Sequence, residues 1–337
     1  IRIPSGRVEM NITDTVTSPF VQFPSDDRKI ENLVLPHRIF LAAASRVDVA
    51  GDRLYNNLAG SIDPLQFGHV EGGEILLKDD SRGLAQGAVV LTSSASLDVS
   101  GGFEFGPTDG FMAGDAGQLQ ISANTVALEG TLAGYSVLGR KGGGITLQAD
   151  NLKVLQPQEV PGLPADFAFG SEIPPAIQGG LQLADDRLDA TGFTRIALIS
   201  GSSLDVQAGT HLHPSMLTLG IPQSAANPQF AGPSRNILAP LPGATVIDDK
   251  LKLPMQQVGN SAITLKAALS RLGGGVPEES TDAVLLQAGA RVEVGPGGRI
   301  EVSGQNLDLD GTLEAPGGRV ELTAAGDFFP DAHQLRI

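Results

Sequence analysis

The chain has 337 residues, 41% of them hydrophobic but only 4% aromatic, with no Trp, two Tyr and 13 Phe. Its formal net charge is −15, from 23 Lys and Arg against 38 Asp and Glu, which argues against nucleic acid and anionic membrane surfaces as partners. Zero Cys excludes disulfides, Cys-ligated zinc and thiol catalysis.

In chain order, residues 1–37 open with a strand signal at Arg7–Met10, and a polar segment containing Pro19, Pro24 and Pro36 follows as a predicted loop. Ile39–Ala50 and Gly73–Lys78 read as strands. From Gly87 to about Val154, short alternating apolar and polar runs are separated by Gly-rich breaks, with an interruption at Gly101–Gly117. Gln156–Asp189 is different: five prolines fall between Pro157 and Pro175 and the alternation disappears. Seven more prolines fall between Pro214 and Pro254. Proline cannot donate to a ladder, so neither stretch is expected in a regular wall. Residues 156–189 and 208–260 are therefore predicted as excursions packed on or off the main body, with Phe167, Phe169, Ile173, Ile177, Leu217, Leu219 and Ile237 buried. Ala262–Leu272 predicts a short helix closed by Gly273–Gly275.

The pattern resumes at Asp282 and is clearest to Ala324. Val292 and Val294, Ile300 and Val302, Leu307 and Leu309, and Val320 and Leu322 each share one strand face. Glu293, Glu301, Asp308 and Glu321 point the other way. The pattern also recurs at a distance. Gly117–Gly134 (GQLQISANTVALEGTLAG) aligns without gaps on Gly298–Ala315 (GRIEVSGQNLDLDGTLEA), sharing the opening Gly, the Ser, one Leu and the closing Gly-Thr-Leu. Every remaining inward slot is aliphatic in both.

Short strands repeated around an aliphatic interior with Gly corners predict an all-β fold, a right-handed parallel β-helix or β-solenoid, with residues 1–337 forming one elongated segment. Leu119, Ile121, Val126, Leu128, Leu132, Ile145, Leu147, Ile300, Val302, Leu307, Leu309, Leu313, Val320 and Leu322 are expected to face its lumen. At about 20 residues per coil and about 4.8 Å rise, the chain would make roughly a dozen coils and a rod on the order of 55–60 Å long.

A smaller signature of Arg, aliphatic, acid, aliphatic begins at Arg7, Arg46, Arg291, Arg299 and Arg319. Residues two apart on a strand share a face, so each Arg and its acid are expected side by side on the solvated surface. Such pairs contribute roughly 0–1 kcal/mol each and are read as solubility and register devices.

Chemistry-bearing motifs are sparse. The five His are His37, His69, His211, His213 and His333, and only His211 and His213 are close; on a strand both would share one face. They lack an obvious third metal ligand nearby, so a surface or loop role is expected. The acidic pairs Asp26-Asp27, Asp79-Asp80, Asp185-Asp186, Asp248-Asp249 and Glu278-Glu279 lie near turn-forming residues and are expected in solvated turns. Phosphate-loop, G-x-S-x-G, H-E-x-x-H and Gly-Gly-x-Gly-x-Asp calcium repeats are missing. The expectation is no catalytic residue, no metal and no cofactor. No apolar run is long enough to span a bilayer and no signal peptide is present, and the start at Ile1 predicts a piece of a longer chain.

The segment Ser96–Ala149, with its S-L-D-V-S-G-G, G-Q-L-Q-I-S, L-E-G-T-L-A-G and G-G-G-I-T-L runs, resembles the filamentous haemagglutinin-type exoproteins of two-partner secretion. The order that follows, a Pro-rich excursion, Gly192-Phe193, a strand pair and a loop around Pro214, resembles them too. The family's Asn-Pro-Asn motifs are absent, so the likeness implies a shaft segment of a large Gram-negative surface or secreted adhesin. It also implies an outer-membrane secretion pore as partner during export, surface glycans or proteins as contacts, and adhesion or biofilm roles. The second reading is a parallel β-helix polysaccharide lyase or hydrolase, which needs acids and bases from neighbouring coils on one outer face. The scarcity of aromatic sugar platforms weighs against it.

Overall fold

The computed structural model describes residues 1–12, 37–55, 70–79, 87–105, 111–214, 217–220, 245–248, 261–267, 283–324 and 334–336. Among these, the only helices are two 3-10 turns, Pro157–Glu159 and Asp185–Leu188. Everything else regular is β-strand, and nearly every pairing is parallel.

The strands fall into successive tiers. The first holds β1 (Arg7–Ile12), β2 (Arg38–Leu41), β3 (Arg46–Asp48) and β4 (Arg53–Tyr55). The second holds β5 (Glu74–Asp79), β6 (Ala88–Leu91), β7 (Ser96–Asp98), β8 (Phe103–Phe105) and β9 (Phe111–Ala113). The third holds β10 (Gln118–Ser122), β11 (Thr125–Leu128), β12 (Thr131–Ala133) and β13 (Ser136–Val137). The fourth is β14 (Gly143–Leu155) and, after a long loop, β15 (Gly180–Ala184). The fifth is β16 (Phe193–Val206), β17 (His211–Leu212), β18 (Leu217–Gly220) and β19 (Thr245–Asp248). Then come β20 (Ala262–Ala267), β21 (Ala283–Leu286) and β22 (Arg291–Glu293), followed by β23 (Arg299–Gly304), β24 (Asn306–Leu309) and β25 (Thr312–Glu314). The last tier is β26 (Arg319–Ala324) and β27 (Gln334–Arg336).

Tiers stack by parallel pairing. A first ladder joins β1, β5, β10, the first half of β14, the first half of β16, β20, β23 and β26, in chain order. Its register aligns Val8, Ile75, Leu119, Ile145, Ile196, Ile263, Ile300 and Val320 in one column. A second column runs from Met10 through Leu77, Ile121, Leu147, Leu198, Leu265 and Val302 to Leu322. Side chains two residues apart share a strand face, so both columns point the same way, into one continuous aliphatic core. A second ladder (β2, β6, β11, β15, then the later halves of β14 and β16, β21, β24 and β27) closes that core from another side. A third ladder is split into β3-β7-β12 and β17-β22-β25.

Ten of the fourteen predicted interior residues are buried at 5% exposure or less, and Leu128, Leu313 and Leu322 pack half-buried against the same cluster. Val320 is the correction: it is 41% exposed, because among the described residues β26 carries a first-ladder neighbour on one side only. The strand count among the described residues is lower than a dozen coils would need. Eight first-ladder strands are present among the described residues, spanning about 34 Å at about 4.8 Å per strand. Only the step from Arg299 to Arg319 keeps the assumed period; every other step between successive first-ladder strands is longer.

The predicted helix is a strand. Over Ala262–Ala267, Ile263 and Leu265 are fully buried between Ile196 and Leu198 on one side and Ile300 and Val302 on the other. A-I-T-L-K-A alternates with period two, and stacking outweighs the helical preference of its Ala and Lys. Residues 268–272 of that prediction lie outside the described residues, as do Ile237 and Asp327–Pro330.

The first excursion is only partly outside the wall. Residues 156–179 cross the outer flank, where Leu163, Phe167, Ile173 and Ile177 cover Phe40, Ala88, Val90 and Ala127. Phe169, expected buried, is 62% exposed and touches Phe40 edge-on at 6.0 Å. The chain then re-enters as β15, whose Leu181 and Leu183 are core residues at 1% exposure. Proline-free G-L-Q-L-A can pair on both edges, which the preceding Pro-rich stretch cannot. The second excursion also begins later than expected, because His211 and Leu212 belong to the third ladder. Its β18 and β19 form an antiparallel pair that docks back on β13. There the Thr218 hydroxyl donates to the Ser136 carbonyl (2.9 Å), and Leu219 is buried against Val137 and Phe103. Leu217 stays half-exposed.

Candidate functional site

The outward charges are arranged tier to tier. Arg7 pairs with Glu9 of its own strand (2.9 Å) and with Glu74 of the next tier (3.1 Å). Arg46 pairs with Asp48 (2.8 Å) and Asp98 (3.7 Å), and Arg291 with Glu293 (3.2 Å) and Glu314 (2.5 Å). Arg299 holds both Glu301 and Glu321, and Arg319 holds Glu321. All five Arg-acid signatures are thus ion pairs, and four of them reach forward to the following tier. Parallel in-register stacking explains this, since it repeats each side chain about 4.8 Å away. Such ladders are neutralised internally.

Two carboxylates report the pairing. Glu321 is held below its ordinary value by the hydrogen bond from Arg299, and Glu9 by hydrogen bonds from Asn11 and then Arg7. A carboxylate depressed in the folded state stabilises above its unfolded pKa and loses that contribution as pH falls through the folded one. The thermal midpoint is therefore expected to fall as pH drops below the ordinary carboxylate value of 4.5. Because these groups are solvated, 1 M NaCl should flatten part of that dependence, as melting curves at pH 7, 5, 4 and 3 with and without salt would show. A midpoint unchanged between pH 5 and 3 would contradict it.

One place departs from simple pairing: the seam between the two halves of the third ladder. The 3-10 turn Asp185–Leu188 follows β15 and fills the position a strand would occupy. Leu188 plugs the core with no exposure. Arg187 donates to the Gly130 carbonyl of the tier before, and Asp185 Oδ2 accepts the His211 amide of the tier after (2.8 Å). Side chains here replace the ladder bonds of a missing strand, which explains why Asp185 is buried. Burial lowers the pKa of the Arg187 guanidinium, with Asp186 and Glu129 opposing.

His211 and His213 stack at this seam, ring centroids 4.5 Å apart and 21° from parallel. His211 Nε2 meets Glu293 Oε2 at 3.1 Å, while His213 Nδ1 lies 3.6 Å from Asp189 Oδ1, too long for a hydrogen bond. Burial raises the Asp189 pKa; His213 and His211 oppose this, and Asp186 and Asp185 add to it. Two imidazoles, each beside a carboxylate and with Arg291 also on Glu293, gather on one outer face of the seam. Among the described residues, no group of three or more His, Asp or Glu could hold a metal ion.

His211 and His213 do share one face and it is half-buried; His211 is hydrogen-bonded to Glu293, whereas His213 Nδ1 and Asp189 Oδ1 have no hydrogen-bond partner among the described residues. Glu293 and Asp189 were not legible as partners, because Glu293 lies 82 residues from His211 and only stacking joins them. The solvated-turn reading of Asp185-Asp186 holds for Asp186, which is exposed, and fails for Asp185. His37 precedes β2 and is half-buried. His69, His333, Asp26-Asp27, Asp80, Asp249 and Glu278-Glu279 lie outside the described residues. No helix among the described residues is long and apolar enough to cross a membrane, which says nothing of strands. No known protein family, no curated protein and no solved structure matches this chain.

Proposed function

We propose that the tiers are coils of a right-handed parallel β-helix serving as a shaft segment of a large bacterial surface or secreted fibre, of the filamentous haemagglutinin type. The observation that carries this reading is the pair of aliphatic columns running through eight tiers while the outward arginines neutralise acids of their own and the next tier. Such a wall is built to extend and to stay soluble, and it offers little free charge to a substrate. The right hand follows from the strong preference of parallel crossovers for it. Adhesive contacts on this reading fall to the loops that stand off the wall, above all 156–179 with exposed Phe169. An outer-membrane pore during export, and glycans or proteins of host or bacterial surfaces, are the partners it calls for.

The test is location and contact. Antibody against the chain should label the outside of intact producing cells or the culture medium, and beads coated with the protein should bind cells. Labelling only after permeabilisation would overturn the reading.

The second reading, a polysaccharide lyase or hydrolase, is favoured by one observation, the His211, His213, Asp189 and Glu293 group. Incubation with pectin, alginate and hyaluronan is expected to give no turnover. Turnover that His211→Ala abolishes would establish the enzyme instead.

A further inference from the structure

Every neighbour in the second ladder follows chain order except one. β15 (180–184) lies between β11 (125–128) and the later half of β14 (151–155), although it comes after both. Five residue pairs join β15 to β14, from Asn151↔Gly180 to Leu155↔Ala184, whereas a single pair, Val126↔Leu181, joins it to β11. In the first ladder the same two tiers are direct neighbours, with Gln118–Ser122 paired in full against Gly144–Gln148. Tiers three and four are thus one strand spacing apart on one side of the core and two on the other.

The two strands that β15 separates match each other. Thr125-Val126-Ala127-Leu128 and Asn151-Leu152-Lys153-Val154 carry aliphatics at the same alternate positions, and Val126 and Leu152 both register on Leu181. Direct pairing of β11 with β14 would bury those aliphatics without any help from the excursion. It also needs less chain to be ordered, since β14 is complete before residue 156. Left-handed glycines flank the inserted piece, Gly179 at φ 72° and Gly192 at φ 78°, giving the chain its sharp entry and exit.

We propose that β15 is a late wedge: β11 and β14 first pair directly, and the excursion then drives β15 between them. The sparse β11 edge is the footprint of that insertion. Insertion also assembles the seam, because Asp185, Arg187 and Asp189 reach Gly130, His211 and His213 only once β15 is seated. The excursion is therefore a conformational strap that splits the wall and locks its two halves through polar side chains.

The absence of native Cys allows a clean test. Lys153 and Gln182 are paired neighbours in the inserted state. Ala127 and Lys153 are separated by β15, about 9.6 Å at two strand spacings, beyond the roughly 7 Å limit between α-carbons for a disulfide. The double variant Ala127→Cys with Lys153→Cys, refolded from urea under brief diamide pulses, should crosslink early and at least about tenfold less once native. Lys153→Cys with Gln182→Cys should show the reverse order. In the first variant, replacing residues 156–190 by a short Gly/Ser turn should make the 127–153 crosslink permanent. The proposal fails if 127–153 never crosslinks during refolding while 153–182 closes from the start, or if a folded deletion variant leaves 127–153 open.

Discussion

Gly117→Ala is expected to destabilise the protein by about 3 kcal/mol, although it adds one methyl group. Gly117 precedes β10 at a corner where two tiers come into close backbone contact. A β-carbon there would sit inside the van der Waals shell of the Gly73 carbonyl oxygen, with the Gly72 backbone beside it. The obstacle is backbone, which cannot rotate away. The Gly73 carbonyl also accepts the Gln118 amide at 3.0 Å, and the Gly117 carbonyl accepts the Gly144 amide at 3.1 Å. Pushing the corner out would strain the entry to the β5–β10 and β10–β14 ladders together. Gly170→Ala is the matched control: nothing lies within 4 Å of its β-carbon position, so its effect should stay within about 0.5 kcal/mol. Urea midpoints of the two variants measure the difference. Equal midpoints would mean that the tiers are not in contact at this corner.

Leu198→Asp should be more severe and leave no folded protein. Leu198 has no exposure and stands between Leu147 and Leu265 in the second aliphatic column. An unpaired carboxylate there costs several kcal/mol in desolvation, in addition to the lost burial of Leu. That approaches the whole stability of a typical protein, about 5–15 kcal/mol. Leu198→Ala removes only the packing and is expected to cost about 2–5 kcal/mol. Lys266→Ser, on the same ladder but exposed, should change stability by no more than about 0.5 kcal/mol. The readouts are soluble yield, circular dichroism and urea midpoint. A folded, cooperative Leu198→Asp variant would show that the columns do not form a dry core.

The interior was legible where alternation was regular. Ile145 and Leu147, or Ile300 and Val302, could be assigned from period two alone, because a strand buried on one face must alternate. The Arg-acid pairs were legible for the same reason, residues two apart sharing a face. Their forward links, Arg7 to Glu74 or Arg291 to Glu314, were not, because they depend on which tier stacks next and in what register. Ala262–Ala267 was misread because its Ala and Lys favour helix locally, and only the columns on either side make Ile263 and Leu265 wall residues.

Short strands with aliphatic insides, Gly corners and outward ion pairs could be read along the chain, since all of these follow from spacing within a few residues. Where distant segments meet came from the fold. It placed β15 between two earlier strands and set a 3-10 turn in the gap of the third ladder. It also brought His211 to Glu293 and His213 to Asp189. The physical reason is that local periodicity specifies which face a residue occupies. Order along the stack is instead a choice among nearly equivalent aliphatic strands, settled by loop length and by which carbonyls and amides remain to be paired.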